Sequence, residues 1–129
     1  MMKPSALFFE HVLQHDFQPT ISRVIQRCLV DFSCLSIDLE WPNDLILNDR
    51  KVGGILIETT ASLSCDKPSL FIIGVGINVN QTAFPEYLKF VAISFRQMTG
   101  KRYNMEILTK KLSKELYLCL SEGLEERLQ

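Results

Sequence analysis

The sequence predicts an α+β fold in which a largely antiparallel, mixed sheet is covered by helices. Three observations support this class. An amphipathic helical stripe lies near the N-terminus, several short β-branched runs follow one another without intervening helices, and the last third has helical patterning. The resulting order, β-α-β-β-β-β-α-α, differs from the strict strand–helix alternation of a parallel sheet.

The N-terminal part of the chain is expected to form a strand and then a helix. Residues 5–12 are rich in aromatic side chains, which favours a strand. Beyond Pro19, apolar residues recur with the spacing of one helical face, and proline is well tolerated in a first helical turn. The residues of this face are Ile21, Val24, Ile25, Cys28, Leu29 and Phe32.

The middle of the chain is expected to supply four more strands, at residues 36–41, 45–47, 51–59 and 70–77. Asn48-Asp49 predicts a tight hairpin between the second and third of these strands, because both residues tolerate a positive φ. A polar loop at residues 61–69 separates the last two.

The last third is expected to be helical after a short turn at residues 84–87. Residues 91–98 predict a helix ending at Thr99-Gly100, and Asn104 is a suitable N-cap for a long final helix. Leucines spaced four apart drift by about 40° per step around such a helix, so a bend near Gly123 is expected. These leucines are Leu108, Leu112, Leu116, Leu120 and Leu124.

Length and charge limit the classes of function. The 129 residues fit one domain, residues 1–129. The 14 Lys and Arg against 15 Asp and Glu give a net charge of -1, which argues against the basic stripe needed for nucleic-acid binding. No apolar run approaches the roughly 18 residues needed to cross a bilayer, and the first residues do not resemble a secretory signal. A cytoplasmic protein is therefore expected.

Two segments have patterns that suggest a binding site. The first joins Trp41-Pro42-Asn43-Asp44 to the strand at residues 51–59. Strand alternation predicts one face formed by Lys51, Gly53, Ile55 and Ile57. On this face the Lys51 cation would lie beside the gap left by Gly53, with Ile55 as an apolar wall beyond it.

The second segment is residues 70–78, whose alternating face is apolar at one end, bare in the middle and polar at the far end. This face comprises Leu70, Ile72, Gly74, Gly76 and Asn78, and it would suit a flat ligand with an apolar body and a polar head. Taken singly, each segment also has a structural explanation, because glycines in strands can mark bulges or close packing. The pattern is not a dinucleotide fingerprint, since Val79 stands where the third glycine belongs.

In this order and spacing, the segments resemble the catalytic domain of biotin protein ligases. The matching pieces are Trp41-Pro42-Asn43-Asp44, residues 51–58 (Lys-Val-Gly-Gly-Ile-Leu-Ile-Glu), Gly74-Val75-Gly76-Ile77-Asn78, and the stretch from Phe84-Pro85 to Thr99-Gly100. The resemblance runs from about residue 5 to the C-terminus. It implies the class II synthetase-like fold of biotin and lipoate ligases, incomplete at its N-terminus.

The resemblance implies an enzyme that joins biotin to ATP with Mg²⁺, giving biotinyl-5′-adenylate and pyrophosphate. The biotinyl group would then pass to a lysine of a biotin carboxyl carrier protein, as in a biotin–[acetyl-CoA-carboxylase] ligase. By the same resemblance, Lys51 is the expected catalytic residue, meeting both the biotin carboxylate and the adenylate phosphate. Gly54 and Ile55 would contact biotin, and Gly74 and Gly76 would let the ligand approach the strand closely.

The same resemblance places other residues on the nucleotide side. Asn43 and Asn78 would lie there, with Trp41 packed beneath the site or against the adenine. Asp44 would be a metal ligand or an orienting carboxylate. The family usually has a basic residue where Glu40 stands, so this charge reversal is expected to weaken ATP binding.

Family members also carry, upstream of the first strand, a Ser-Thr-Asn biotin contact and a glycine- and arginine-rich loop that this sequence lacks. Three interpretations follow. The chain could be a working ligase domain, an incomplete portion with little turnover, or a non-catalytic binding module whose open sheet edge forms a homodimer. A lipoate ligase relative is a weaker alternative, because the motif pairing is more similar to the biotin enzymes.

Overall fold

The computed structural model describes residues 7–11, 17–41, 43–60 and 69–123, and this part of the chain contains five strands and three α-helices. The strands are β1 (Leu7–His11), β2 (Asp38–Glu40), β3 (Asp44–Leu47), β4 (Arg50–Thr60) and β5 (Ser69–Ile77). The helices are α1 (Phe17–Ser33), α2 (Phe95–Thr99) and α3 (Met105–Leu118), with a 3₁₀ turn at Glu86–Leu88 and a π turn at Cys119–Gly123.

The strands form one sheet in the order β1-β5-β4-β3-β2, and every neighbouring pair is antiparallel. One isolated parallel bridge, between Lys51 and Ala92, completes the mixed pattern. The predicted hairpin is confirmed, because Asn48 and Asp49 have φ values of 51° and 63°. The predicted α+β class is therefore confirmed, while the expected polar loop at residues 61–69 falls largely outside the described residues.

One face of the sheet packs against α1 and α3 around a single apolar core. The predicted stripe of α1 is confirmed: all of its members are buried except Phe32, which is half-buried. The sheet contributes Leu45, Leu47, Val52, Ile55, Ile57, Ile73, Val75 and Ile77. Within the described ranges, no helix has the length and apolarity needed to cross a bilayer.

The helix expected at residues 91–98 is wrong in its first half. Helix α2 covers only Phe95–Thr99, and its capping box is made by Ser94 and Gln97. Before it, Val91 ends a turn, and the backbone of residues 91–93 pairs with Lys51 through two hydrogen bonds of 2.8 and 3.0 Å. Tertiary pairing therefore replaces a helical turn. The predicted end is confirmed, with Gly100 at φ 77°.

Helix α3 and the π turn after it show how the four leucines of the stripe that the structure describes can all be buried. Asn104 caps the helix as predicted, accepting a hydrogen bond from the Ile107 N–H at 3.1 Å. After Leu118 the α-helix gives way to a π turn, whose i→i+5 hydrogen bonds put more residues in each turn. This wider turn reverses the drift of the stripe, so Leu116 and Leu120 both face the core. The regular α-helix thus breaks at Cys119, close to the predicted position near Gly123, while Leu124 lies outside the described residues.

Candidate functional site

The open face of the sheet carries side chains that alternate with the core residues of β4 and β5. In the pairing register, Gly54 lies opposite Gly76 and Leu56 opposite Gly74. The three glycines are partly exposed, and the side chain of Leu56 is 55% exposed. The prediction that Gly74 and Gly76 share a bare face is therefore confirmed, and Leu56 is an apolar neighbour that the sequence analysis did not place there.

A β-bulge decides which residues of β4 join this face. Leu45 pairs with Gly53 but Ile46 pairs with Lys51, so Val52 is an extra residue in β4. The bulge shifts the alternation, and Lys51 lies on the face of Gly54 and Leu56. The predicted face of Lys51, Gly53, Ile55 and Ile57 is therefore wrong, because the last three are buried towards the core.

Lys51 is anchored through both its backbone and its side chain. Its N–H donates to the Val91 carbonyl at 2.8 Å, and its own carbonyl accepts from the Ile93 N–H at 3.0 Å. Its ammonium lies 2.9 Å from Oδ1 of Asp44, the first residue of β3. A Cβ at Gly54 would be 3.6 Å from both Cε and Nζ of Lys51, so the lysine side chain crosses the strand above this glycine.

The glycines of β4 and β5 differ in how much space a side chain would have at each position. A Cβ on Gly53 would lie 2.6 Å from the Gly76 carbonyl oxygen and 2.7 Å from Cδ1 of Ile77, so the sheet itself excludes a side chain there. At Gly54 and Gly74 the nearest atoms would be 3.6 and 3.7 Å away, which is ordinary contact. The fold therefore does not require glycine at these two positions, and the absence of their side chains enlarges the cavity that they line.

Two cavities meet at Lys51. The small cavity has a volume of about 370 Å³ and extends over Leu56 and Gly74 towards Asn43 and Asp44. The large cavity has a volume of about 680 Å³, and its apolar wall is formed by Phe84, Pro85, Leu88 and Val91. Three residues line both cavities, and we call them the junction: Lys51, Gly54 and Gly76. Both volumes are in the range of small-molecule sites.

This geometry agrees with comparisons to known proteins. Residues 17–78 match the model of the biotin/lipoate A/B protein ligase family, and they include the junction residues Lys51, Gly54 and Gly76. This part of the chain, just under half of its length, is therefore similar to that family. The chain is 43% identical over 70 residues to the bifunctional ligase/repressor BirA of Bacillus spizizenii, an alignment that covers 53% of this chain and 21% of the relative.

Two further relatives extend the comparison. A biotin–[acetyl-CoA-carboxylase] ligase of Paracoccus denitrificans is 42% identical over 48 residues, which cover 37% of this chain and 18% of the relative. The apo structure of Aquifex aeolicus biotin protein ligase aligns with a TM-score of 0.70 and 28% identity, covering 93% of this chain and 54% of that one. Its complex with biotin and ATP aligns with a TM-score of 0.64 and 28% identity, covering 91% of this chain and 52% of that one. The chain thus spans about half of the Aquifex ligase.

The family motifs place the predicted residues unevenly around the junction. Asn43 lines the small cavity and Asn78 the large one, so the two asparagines predicted to share the nucleotide side lie in different cavities. The side chain of Ile55 is only 4% exposed, which leaves its backbone to border the small cavity. Trp41 is 60% exposed, so it does not pack beneath the site, and its packing against the adenine stays a prediction.

Asn78 is a buried link between the strands and the wall of the large cavity. Its N–H donates to the Val52 carbonyl at 2.7 Å, which joins the end of β5 to the bulge. Its Oδ1 accepts from Nε2 of Gln81 at 3.3 Å, while Oε1 of Gln81 is buried without a partner. These hydrogen bonds hold the Asn78 side chain in a fixed place at the edge of the large cavity.

Asp44 fits an orienting role better than a metal site. Mg²⁺ prefers six oxygen ligands in near-octahedral geometry. Oδ1 of Asp44 is already engaged by the Lys51 ammonium, and the described residues contain no group of three His, Cys, Asp or Glu that could hold a metal ion. These residues therefore do not fit a resident Mg²⁺. Glu40 is directly opposite Asp44 in the β2–β3 register, so its charge lies beside the Asp44–Lys51 pair.

The apolar wall of the large cavity is not predictable from the motifs of the sequence. The wall lies within residues 84–92, which belong to the stretch that resembles the family but carry no predicted cavity. Val91 and Ala92 had been assigned to a helix, although their role depends on backbone pairing with Lys51. The sequence does contain one signal, a group of large apolar residues close together, and the structure leaves Tyr87, Phe90 and Val91 exposed.

Proposed function

We propose that this chain carries the substrate-binding part of a biotin–protein ligase, which activates biotin with ATP and transfers it to a carrier lysine. The observation that carries the proposal is the Lys51 ammonium at the junction of two cavities. Adenylation joins a carboxylate to a phosphate, so both anionic groups must meet beside one cation. A fixed positive charge at that point stabilises the negative charge that develops in the transition state.

The two cavities suit the two substrates. The small cavity would take biotin, with its ring system over Leu56 and Gly74 and its carboxylate directed to Lys51. The Ile55 backbone and the bare positions at Gly54 and Gly76 would border the same ligand. The large cavity would take adenine against its apolar wall, with Asn78 at its polar edge. Because Asn43 lines the small cavity, its assignment to the nucleotide requires an ATP that reaches across the junction.

The proposed reaction has two balanced steps. A biotin carboxylate oxygen attacks the α-phosphorus of ATP, the bond to the β-phosphate oxygen breaks, and pyrophosphate leaves. The neutral amine of a carrier lysine then attacks the acyl carbon, AMP leaves with the bonding electrons, and the amine loses a proton. Mg²⁺ is expected to accompany the nucleotide phosphates, and none of the residue roles proposed for this chain depends on it.

The second half of the proposal is the transfer of biotin to a carrier protein. The name of the Paracoccus relative points to acetyl-CoA carboxylase as the source of the carrier domain. A cytoplasmic location belongs to the same proposal, whereas a homodimer formed through an open sheet edge belongs to the non-catalytic alternative. The absence of nucleic-acid binding remains a prediction from charge, since the Bacillus relative is named as a repressor as well as a ligase.

A second candidate is a non-catalytic binding or dimerising module that keeps the ligase fold. It is favoured by one observation: among the described residues that line the two cavities, Lys51 is the one cation. ATP carries several negative charges, and phosphate groups are usually held by more than one charge-assisted hydrogen bond. This candidate predicts binding of biotin or of the nucleotide without turnover.

Mass spectrometry distinguishes the two candidates. The purified chain is incubated with biotin, ATP and Mg²⁺, and biotinyl-5′-adenylate is measured over time. The ligase proposal expects product, a loss of about a hundredfold or more in Lys51→Ala, and no change in Lys110→Ala, which removes an exposed cation of α3. A folded chain that makes no product but binds biotin by calorimetry would support the second candidate instead.

A further inference from the structure

We propose that Asp44 is the positioning residue that holds the Lys51 ammonium at the junction of the two cavities. This inference rests on the proposed function for its consequence in ligand binding, although the contact itself is independent of any ligand. Asp44 would act through Lys51, without touching the reacting groups and without holding a metal ion.

The placement of both groups on one face is a product of the bulge. Without the extra Val52, the register set by Asp44 and Gly54 would bring Lys51 opposite Leu47, whose side chain is buried in the core. The bulge turns Lys51 to the open face instead, where β3 presents the Asp44 carboxylate. The ammonium and Oδ1 are 2.9 Å apart, within the range of a charge-assisted hydrogen bond.

The Lys51–Asp44 ion pair contributes too little to folding stability to explain its presence. The side chains of Lys51 and Asp44 are 53% and 46% exposed, and ion pairs with such access to water contribute little to folding. The placement of the Lys51 ammonium explains the pair better. An unrestrained lysine has a long side chain with many rotamers, whereas this ammonium lies over Gly54 at the point shared by both cavities.

The first test needs no ligand. Lysines are acetylated under limiting reagent, and the relative rate at each site is read by peptide mass spectrometry. Because an ammonium held by a carboxylate reacts slowly, Asp44→Asn should raise the labelling rate of Lys51 about twofold to fivefold. Glu106→Gln is the matched control, since it removes an exposed acid 3.2 Å from Lys110 and should leave Lys51 unaffected. An unchanged Lys51 rate in Asp44→Asn overturns the proposal.

The second test is a double-mutant cycle on ligand affinity. The probe is the non-hydrolysable sulfamoyl analogue of biotinyl adenylate, and its affinity is measured by calorimetry in EDTA so that a metal role cannot contribute. Asp44→Ala should weaken binding about threefold to tenfold in the parent and have no effect in the Lys51→Ala background. Asp44→Glu should recover part of the loss.

The outcomes separate this inference from the proposed function. Tighter binding by Asp44→Ala would mean that the carboxylate only repels the anionic ligand, and additive losses would mean that it acts independently of Lys51. Either result overturns the positioning role. A folded parent that does not bind the probe counts against the proposed function, and the labelling experiment then decides by itself whether Asp44 holds Lys51.

Discussion

Alanine substitutions at Gly53 and Gly74 should separate the glycine that the sheet needs from one that a ligand needs. At Gly53, the added Cβ would meet the Gly76 carbonyl oxygen at 2.6 Å and the Ile77 side chain at 2.7 Å. A backbone oxygen cannot move without breaking the β4–β5 pairing. Overpacking of this kind destabilises a protein by about 1–3 kcal/mol, so we expect Gly53→Ala to lower Tm by roughly 5–15 °C.

At Gly74 the same methyl group would meet Leu56 Cβ at 3.7 Å and should be accepted without strain. Replacing glycine reduces the entropy of the unfolded chain, so stability should stay level or rise by about 0.4–1 kcal/mol. The methyl group would nevertheless occupy the floor of the small cavity. We therefore expect Gly74→Ala to weaken biotin binding by tenfold or more, roughly the effect of one obstructed apolar contact.

The assay combines thermal unfolding by circular dichroism with biotin binding by calorimetry on the same preparations. Gly100→Ala is a useful control for backbone strain, because Gly100 has φ 77° and open space around it. A Gly53→Ala protein as stable as the parent would contradict this prediction, because the added Cβ could then not lie so close to the Gly76 carbonyl oxygen. The reasoning would equally be refuted by a stable Gly74→Ala protein that binds biotin normally.

Three further predictions use other parts of the molecule. Glu40→Lys should tighten ATP binding about twofold to fivefold in low salt and lose that gain at high ionic strength, as calorimetry can measure; equal affinities in low salt would contradict it. Ser94→Ala removes the α2 cap and should cost about 1 kcal/mol in urea unfolding. Burial raises the pKa of Cys28 from 9.0 to about 11, so iodoacetamide at pH 8 should alkylate exposed Cys34 at least about tenfold faster in peptide mapping.

The Cys28 shift also predicts how stability depends on pH. Its thiol ionises more readily in the unfolded chain than in the folded one. The contribution is therefore fully present below pH 9 and is lost as the pH rises towards 11. Cys28→Ala should make the unfolding free energy less sensitive to pH across this window, and an unaltered dependence would exclude Cys28 as its source.

Local patterns predicted those elements whose cause is local. The stripe of α1 follows from residues three and four apart, and the hairpin at Asn48 and Asp49 follows from their tolerance of positive φ. The Asn104 cap likewise depends on a side chain and an amide three residues apart. Each of these predictions involves neighbours in sequence, and each is confirmed.

Predictions were wrong where distant segments compete for the same backbone. Residues 91–93 have no pattern that excludes a helix, yet their backbone groups bond to Lys51 some forty residues earlier. The bulge at Val52 has the same character, since one extra residue in a ladder is defined only relative to its partner strand. A shift of one residue exchanges the two faces of a strand, so this single feature redirected Ile55 to the core and Leu56 to the site.

The sequence by itself determined the α+β class, the family motifs and the choice of Lys51, because residue types and their order are sufficient for these. Only the tertiary structure decided that Lys51 lies over Gly54, pairs with Asp44 and stands between two cavities. The physical reason is that a site is a set of distances between segments. Those distances depend on strand register and on hydrogen bonds across the sheet, which no local pattern in the chain encodes.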